Sequence, residues 1–237
     1  MRETLAVYRK EMRSYLVSPI PYLVVALFAG FIGLWFFMVQ DFFLLKLAKI
    51  DGMVGLMPVF LLIVVPAITM RLWSEEFRGG TFESLMTMPV RPRHLVYGKF
   101  LAAWTVLAGG LVGTLGIPIT VKSLGDLDMG PVWGAYVGSM LMGAAFLALG
   151  QWLSGLTRNQ IVAFLLSLVT GFFLTVGLRM LTESLHFGAW AEQLSISSHF
   201  ESVQRGVIDL RDVAYFVSFV GFFLYLNVES ISNRRHR

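Results

Sequence analysis

The sequence contains no cysteine. That excludes disulfides, thiol catalysis and thiolate metal sites together, and says nothing about redox compartment. Charge is scarce too. Asp, Glu, Lys and Arg make up 14% of the 237 residues, against about 25% in an ordinary soluble domain. Hydrophobic residues make up 56%, and the mean hydropathy is +0.70. Six separate stretches run 16 or more residues without a charge, the signature of membrane spans. These shortages exclude a soluble enzyme, a disordered chain and a secreted disulfide scaffold. Spans of roughly 20 residues each leave little chain for a soluble catalytic domain.

The spans expected from the apolar runs are Tyr22–Val39, Met53–Met70, Phe100–Val121, Val132–Leu153, Ile161–Leu181 and Val213–Val228. The last is the shortest and is expected to rely on snorkelling flanks. No cleavable signal is evident, so the first span is expected to remain in the mature chain. Of the 19 Lys and Arg residues, 13 fall in the segments that share a side with the N-terminus, and 6 on the other side. By the positive-inside rule the first group is cytoplasmic, which puts both termini inside. The sequence pI of about 9.5 and net charge of +4 then reflect this loop bias rather than an affinity for nucleic acid. Within residues 1–19, Leu5, Tyr8, Met12, Tyr15 and Leu16 form one helical stripe, with Arg2, Arg9, Lys10 and Arg13 opposite. That pattern predicts a helix lying along the inner leaflet. Glycines at helix-packing spacing, Gly109 with Gly113 and Gly134 with Gly138, point to close packing within the subunit.

The centres of all six runs contain no Asp, Glu, Lys, Arg or His. An ion-coupled carrier usually needs ionisable or broken-helix sites near the midplane, so energy from an ion gradient is disfavoured. Gln151 is the strongest polar group there and is read as a helix-packing hydrogen bond. The four histidines sit in different loops without zinc spacing, and Met86, Met88, Met140 and Met142 read as packing rather than copper ligands. No metal site and no catalytic residue is assigned. Glu75–Glu76 suggests a membrane protease of the prenyl-protein type, but Gly80 stands where that site needs an Arg. Gly98–Lys99 lacks the upstream glycine of a phosphate-binding loop, so this chain holds no nucleotide by that route.

The longest inner loop, residues 71–99, reads RLWSEEFRGGTFESLMTMPVRPRHLVYGK. It is charged at its start and broken at Gly79–Gly80, with Thr81 expected as the cap of a short helix that Pro89 ends. Phe82, Leu85 and Met86 line one face of that helix, and its apolar face is expected to point outward into a groove of another protein.

This segment resembles the signature of ABC-2 family permeases, the membrane subunits of ABC exporters. The resemblance rests on Arg71, Glu75, Glu76, Gly80, Thr81, Glu83, Pro89, Gly98 and Lys99. Trp73 and the doubled Gly79–Gly80 depart from the pattern and imply a looser loop. Residues 66–71 (PAITMR), 156–164 (LTRNQIVAF) and 199–216 (HFESVQRGVIDLRDVAYF) look like the gliding-motility-associated branch of the family. The resemblance implies an all-α fold, a polytopic membrane protein with six transmembrane helices forming one domain over residues 1–237. It also implies a cytosolic ATPase dimer as partner, with ATP and Mg held there and no cofactor in this chain. A second permease, identical or bearing an extracytoplasmic domain, would complete the complex in the bacterial inner membrane. Arg71, Glu75, Glu76, Thr81, Glu83, Leu85, Met86 and Pro89 would couple to the ATPase.

The outer segment, residues 182–212, resembles the outer gate of such permeases, with Trp190, His199, Glu201 and Arg205 as its candidate residues. Ser198 and Glu201 are expected to form a capping box, Gly206 to end that helix, and Asp209 and Asp212 to cap the last span. Phe187 and Trp190 would anchor the segment at the interface. Three other functions compete with a permease: a self-sufficient channel or carrier, a membrane protease, and an ABC complex that drives an extracytoplasmic partner without transport.

Overall fold

A computed structural model describes residues 2–39, 50–185, 193–204 and 209–235. Every regular element among them is helical. Helix α1 is Arg2–Val17, and α2 is Pro19–Leu34, which runs into a π-helical turn at Trp35–Val39. There follow α3 (Asp51–Thr69), α4 (Ser74–Arg78), α5 (Thr81–Thr87), α6 (Pro92–Thr114), α7 (Gly116–Leu124) and α8 (Met129–Ser154). Helix α9 is Gln160–Phe172 and passes through a π-helical turn, Phe173–Gly177, into α10 (Leu178–Leu185). Helices α11 (Ile196–Gln204) and α12 (Leu210–Arg235) complete the chain.

Six helical stretches are long and apolar enough to cross a bilayer: Tyr22–Val39, Gly52–Arg78, Pro92–Leu124, Met129–Ser154, Gln160–Leu181 and Leu210–Arg234. Each contains one of the six apolar runs, and the second, third and sixth extend furthest beyond theirs: the second reaches Arg78, eight residues past Met70. The third span starts at Pro92, eight residues before the apolar run. Proline at the first helical turn needs no N–H partner, so the polar residues after it join the helix. The last span is longer than its apolar core, because the helix continues through Glu229 to Arg235.

Helix α8 is the axis of the bundle. It packs on α3, α6, α9, α11 and α12, and 78% of its spanning window is buried, against 17% for the first span and 22% for the last. In lipid no hydrophobic force draws one helix to another, so association depends on shape, and small residues let backbones approach. Helix α8 supplies Gly134, Ala135, Gly138, Ser139, Gly143, Ala144, Ala145, Ala148 and Gly150 to its buried faces. The closest approaches are at Gly150, where a Cβ would lie 2.3 Å from Thr69 Oγ1, and at Gly143, 2.3 Å from Leu107 Cδ2. The expected pair on α6 contributes less. A Cβ at Gly113 would lie 3.9 Å from Ala29 and Val25, and one at Gly109 would meet nothing within 4 Å. Gln151 is fully buried and its amide donates to the Val96 carbonyl at 3.0 Å, tying α8 to α6.

Candidate functional site

The turn after α3 is bound tightly to the end of α8. Ser154 Oγ accepts from the backbone N–H of Trp73 (3.2 Å) and of Ser74 (3.3 Å), and donates to the Met70 carbonyl (3.1 Å). The Ser74 hydroxyl donates to the same carbonyl. These bonds satisfy the Met70 carbonyl at the end of α3 and the N–H groups that the start of α4 leaves open. Trp73 is completely buried and Gly80 takes φ +68, the left-handed region where a Cβ is disfavoured. The Trp73 and double-glycine departure therefore builds a tight turn here, not a looser loop. Gly80, rather than Thr81, occupies the position before the first turn of α5. Thr81 is the first helical residue, and its hydroxyl faces the Glu76 carbonyl at 3.5 Å.

The apolar face of α5 is turned inward, the reverse of the outward presentation expected from the sequence. Leu85 is 8% exposed and belongs to the core, while Phe82 and Met86 are half-buried against it. Phe82 stacks at a tilt on Phe77 (4.6 Å between centroids) and lies edge-on to Trp73 (6.4 Å). The Arg234 guanidinium of α12 sits over the Phe77 ring at 4.8 Å. The outward surface of the α4–α5 pair and the turn after it includes instead Glu75, Arg78, Thr81, Glu83, Ser84, Thr87, Met88 and Pro89. The reason is local: a seven-residue helix between two spans has only its own bundle to cover its apolar side.

Beneath this pair lies a buried charge cluster that the sequence reading missed. Lys99 of α6 has a side chain only 3% exposed. Its Nζ donates to Glu76 Oε1 of α4 at 2.8 Å and to Glu11 Oε1 of α1 at 3.0 Å, and lies 5.1 Å from the Trp73 ring centroid. One ammonium thus joins three helices distant in sequence. Arg71 forms a second, more open pair with Glu75, Nε to Oε2 at 2.9 Å and Nη2 to Oε1 at 3.3 Å. Between the two pairs is a cavity of about 260 Å³ reached by Lys10, Ser14, Tyr15 and Thr81. Burial pushes the Tyr15 hydroxyl well above the ordinary phenol range, and Glu11 reinforces the shift, so it stays neutral.

Chemically, this arrangement holds and transmits. Glu75 is committed to Arg71 and Glu76 to Lys99, and the described histidine on this side, His94, bonds Thr4 of α1 instead (2.7 Å). Neither carboxylate stands free beside a base, as a hydrolytic site would need. The clamp could have been suspected from Glu11 on the N-terminal helix and Lys99 at a span end, but no local spacing links them.

At the opposite end, Trp190, Arg205, Phe187 and Gly206 lie outside the described residues, as does the side chain of Glu201. Helix α11 begins at Ile196, so Ser198 is inside it and bonds the Ser195 carbonyl (2.8 Å) rather than serving as its cap. His199 is held on three sides. Nδ1 meets Asp212 Oδ1 at 2.7 Å, Nε2 meets the Gln193 carbonyl at 2.9 Å, and the ring stacks on Tyr215 at 4.0 Å. Asp209 does cap α12, accepting from the Arg211 N–H at 3.0 Å. Asp212, expected as a second cap, is instead the buried partner of His199.

Six apolar helices around a small-residue axis, with charge confined to the ends, define a multi-pass α-helical membrane protein. The profile of the family described as ABC-2 family transporter protein matches residues 39–200, more than half of the chain, and the chain belongs to that family. It is thus a membrane permease component of an ABC system, and such components generally work with an ATPase partner rather than as enzymes. The match includes α4 and α5 and leaves out α1 and α12. No curated protein matches the chain.

Proposed function

We propose that this chain is the transmembrane subunit of an ATP-driven exporter or related ABC complex, of the gliding-motility-associated branch. It sits in a bacterial inner membrane with both termini cytoplasmic, paired with a second permease. A separate cytosolic ATPase dimer binds ATP and Mg and seats on the α4–α5 pair. The supporting observation is the division of labour in α5. Glu83, Ser84 and Thr87 face outward where a partner can reach them, while Leu85 and Met86 fasten the same helix to the core and the Glu76–Lys99 pair fastens the adjoining α4 to α6. A push on the outer surface is then carried into α6 and α1 by packed contacts, with Arg71, Glu75, Thr81 and Pro89 fixing the turn on either side. His199, with Trp190, Glu201 and Arg205, belongs to the outer gate that opens in response.

The test is co-purification with a co-expressed ABC ATPase. Glu83→Arg is expected to weaken the complex at least tenfold without changing the Tm of the permease. Leu85→Asp is expected to lower both, since its side chain packs in the core. Unchanged ATPase binding and unchanged stimulated hydrolysis in both variants would remove α5 from the coupling role.

A further inference from the structure

Helix α1 presents three different faces. Thr4, Val7 and Glu11 turn toward α6: Thr4 bonds His94, Val7 sits where a Cβ on Gly98 would be 2.6 Å away, and Glu11 bonds Lys99. Beside this seam runs an apolar strip in which Leu5 is 48% and Leu16 58% exposed. Beyond the strip come Arg2, Arg9 and Arg13, all exposed and without an acid in ion-pair distance among the described residues. Both acids of the helix point elsewhere, Glu3 to His94 at 3.6 Å and Glu11 to Lys99. The face that carries Arg2, Arg9 and Arg13 is therefore cationic, with the half-exposed Glu3 turned toward His94.

Its position fixes what that face meets. Only Ser18 separates α1 from α2, whose span begins at Tyr22, and the Tyr22 hydroxyl donates back to the Leu16 carbonyl at 3.0 Å. Helix α1 must then lie at a bilayer face. Its apolar strip continues into the exposed Leu23 and Leu27 of α2. A cation row flanked by apolar side chains, continuous with a lipid-facing span, matches the boundary between acyl chains and anionic headgroups. An acidic protein would match the arginines and leave the apolar strip without a role.

We propose that Arg2, Arg9 and Arg13 bind anionic phospholipid headgroups, and that Glu11–Lys99–Glu76 passes the seating of α1 to the α4–α5 pair, so that leaflet charge regulates coupling. The relay rests on the coupling reading of residues 71–99; the lipid contact does not. Each cation near an anionic surface raises binding about fivefold, so three give a large margin over a neutral membrane.

The test is hydrogen exchange on the full chain in nanodiscs, with no ATPase present. Phosphatidylcholine alone is compared with phosphatidylcholine containing phosphatidylglycerol. Amides of residues 2–17 and 74–87 are expected to exchange at least about fivefold more slowly on the anionic membrane. The combined Arg2→Gln, Arg9→Gln and Arg13→Gln variant loses the difference in both segments. Glu11→Gln, which leaves the Lys99–Glu76 pair in place, keeps the response of 2–17 and loses that of 74–87. Equal exchange on both membranes, or a response that survives the triple variant, overturns lipid binding. A response at 74–87 undiminished by Glu11→Gln overturns the relay. Because no ATPase is present, these failures are distinct from a failure of ATPase docking.

Discussion

The two ends of the bundle are fastened by different means. At the α4–α5 end Lys99 is sunk between Glu11 and Glu76 and joins three helices. At the other end a single aromatic ring, His199, joins α11 to α12 through Asp212 and Tyr215. The first fastening is dominated by charge and leaves little freedom, because separating any member strands a buried ion. The second is a set of contacts on one ring, Nδ1 with Asp212, Nε2 with the Gln193 carbonyl and the ring face on Tyr215. Between them the spans hold no ion pair among the described residues. The contrast fits a rigid lever at one end and a yielding closure at the other.

Lys99→Met should break the comparison most severely. It leaves two carboxylates facing each other in a buried site, and about 3–5 kcal/mol of stability should be lost. The Tm of the detergent-solubilised protein would fall accordingly, and adding Glu11→Gln with Glu76→Gln should restore much of it. A shift no larger than that of a surface substitution would show that the clamp is not desolvated. Gly150→Val tests the packed middle. A side chain forced against Thr69 should cost on the order of 2 kcal/mol, whereas Gly109→Ala, with open space around it, should be neutral or slightly stabilising. Asp212→Ala tests the outer fastening and should cost about 1–2 kcal/mol. Protease accessibility should rise at α11 while residues 74–87 stay protected. Arg71→Gln should have the smallest effect, below about 1 kcal/mol, because its partner Glu75 is half-exposed and an open pair is screened.

The spans were legible because an apolar run long enough to cross a bilayer has few alternatives. Their ends were less so. Pro92 and the polar turn after it joined α6, since helix starts depend on which backbone groups are already free. Phe82, Leu85 and Met86 were recognisable as one helical face, but periodicity says which residues share a face and not which way the face turns. The inward answer came from Trp73 and Phe77, which provide the surface that α5 covers. Lys99 and Glu11 are 88 positions apart, and Ser154 meets residues 73 and 74 across a similar separation, 81 and 80 positions. Pairings at that range leave no trace in local spacing. His199 was named as a gate residue, while its partners Asp212 and Tyr215 come from the next helix and were not.

Because the chain has no cysteine, a single introduced thiol reports one position without background. The decisive measurement is cross-linking of Glu83→Cys, on the outward surface of α5, to a co-expressed ABC ATPase, with Ser123→Cys on α7 as the control. The account predicts a cross-link from position 83 that changes in yield with ATP, and none from position 123. Absence of any cross-link at 83, with full activity of the chain reconstituted alone, would contradict it.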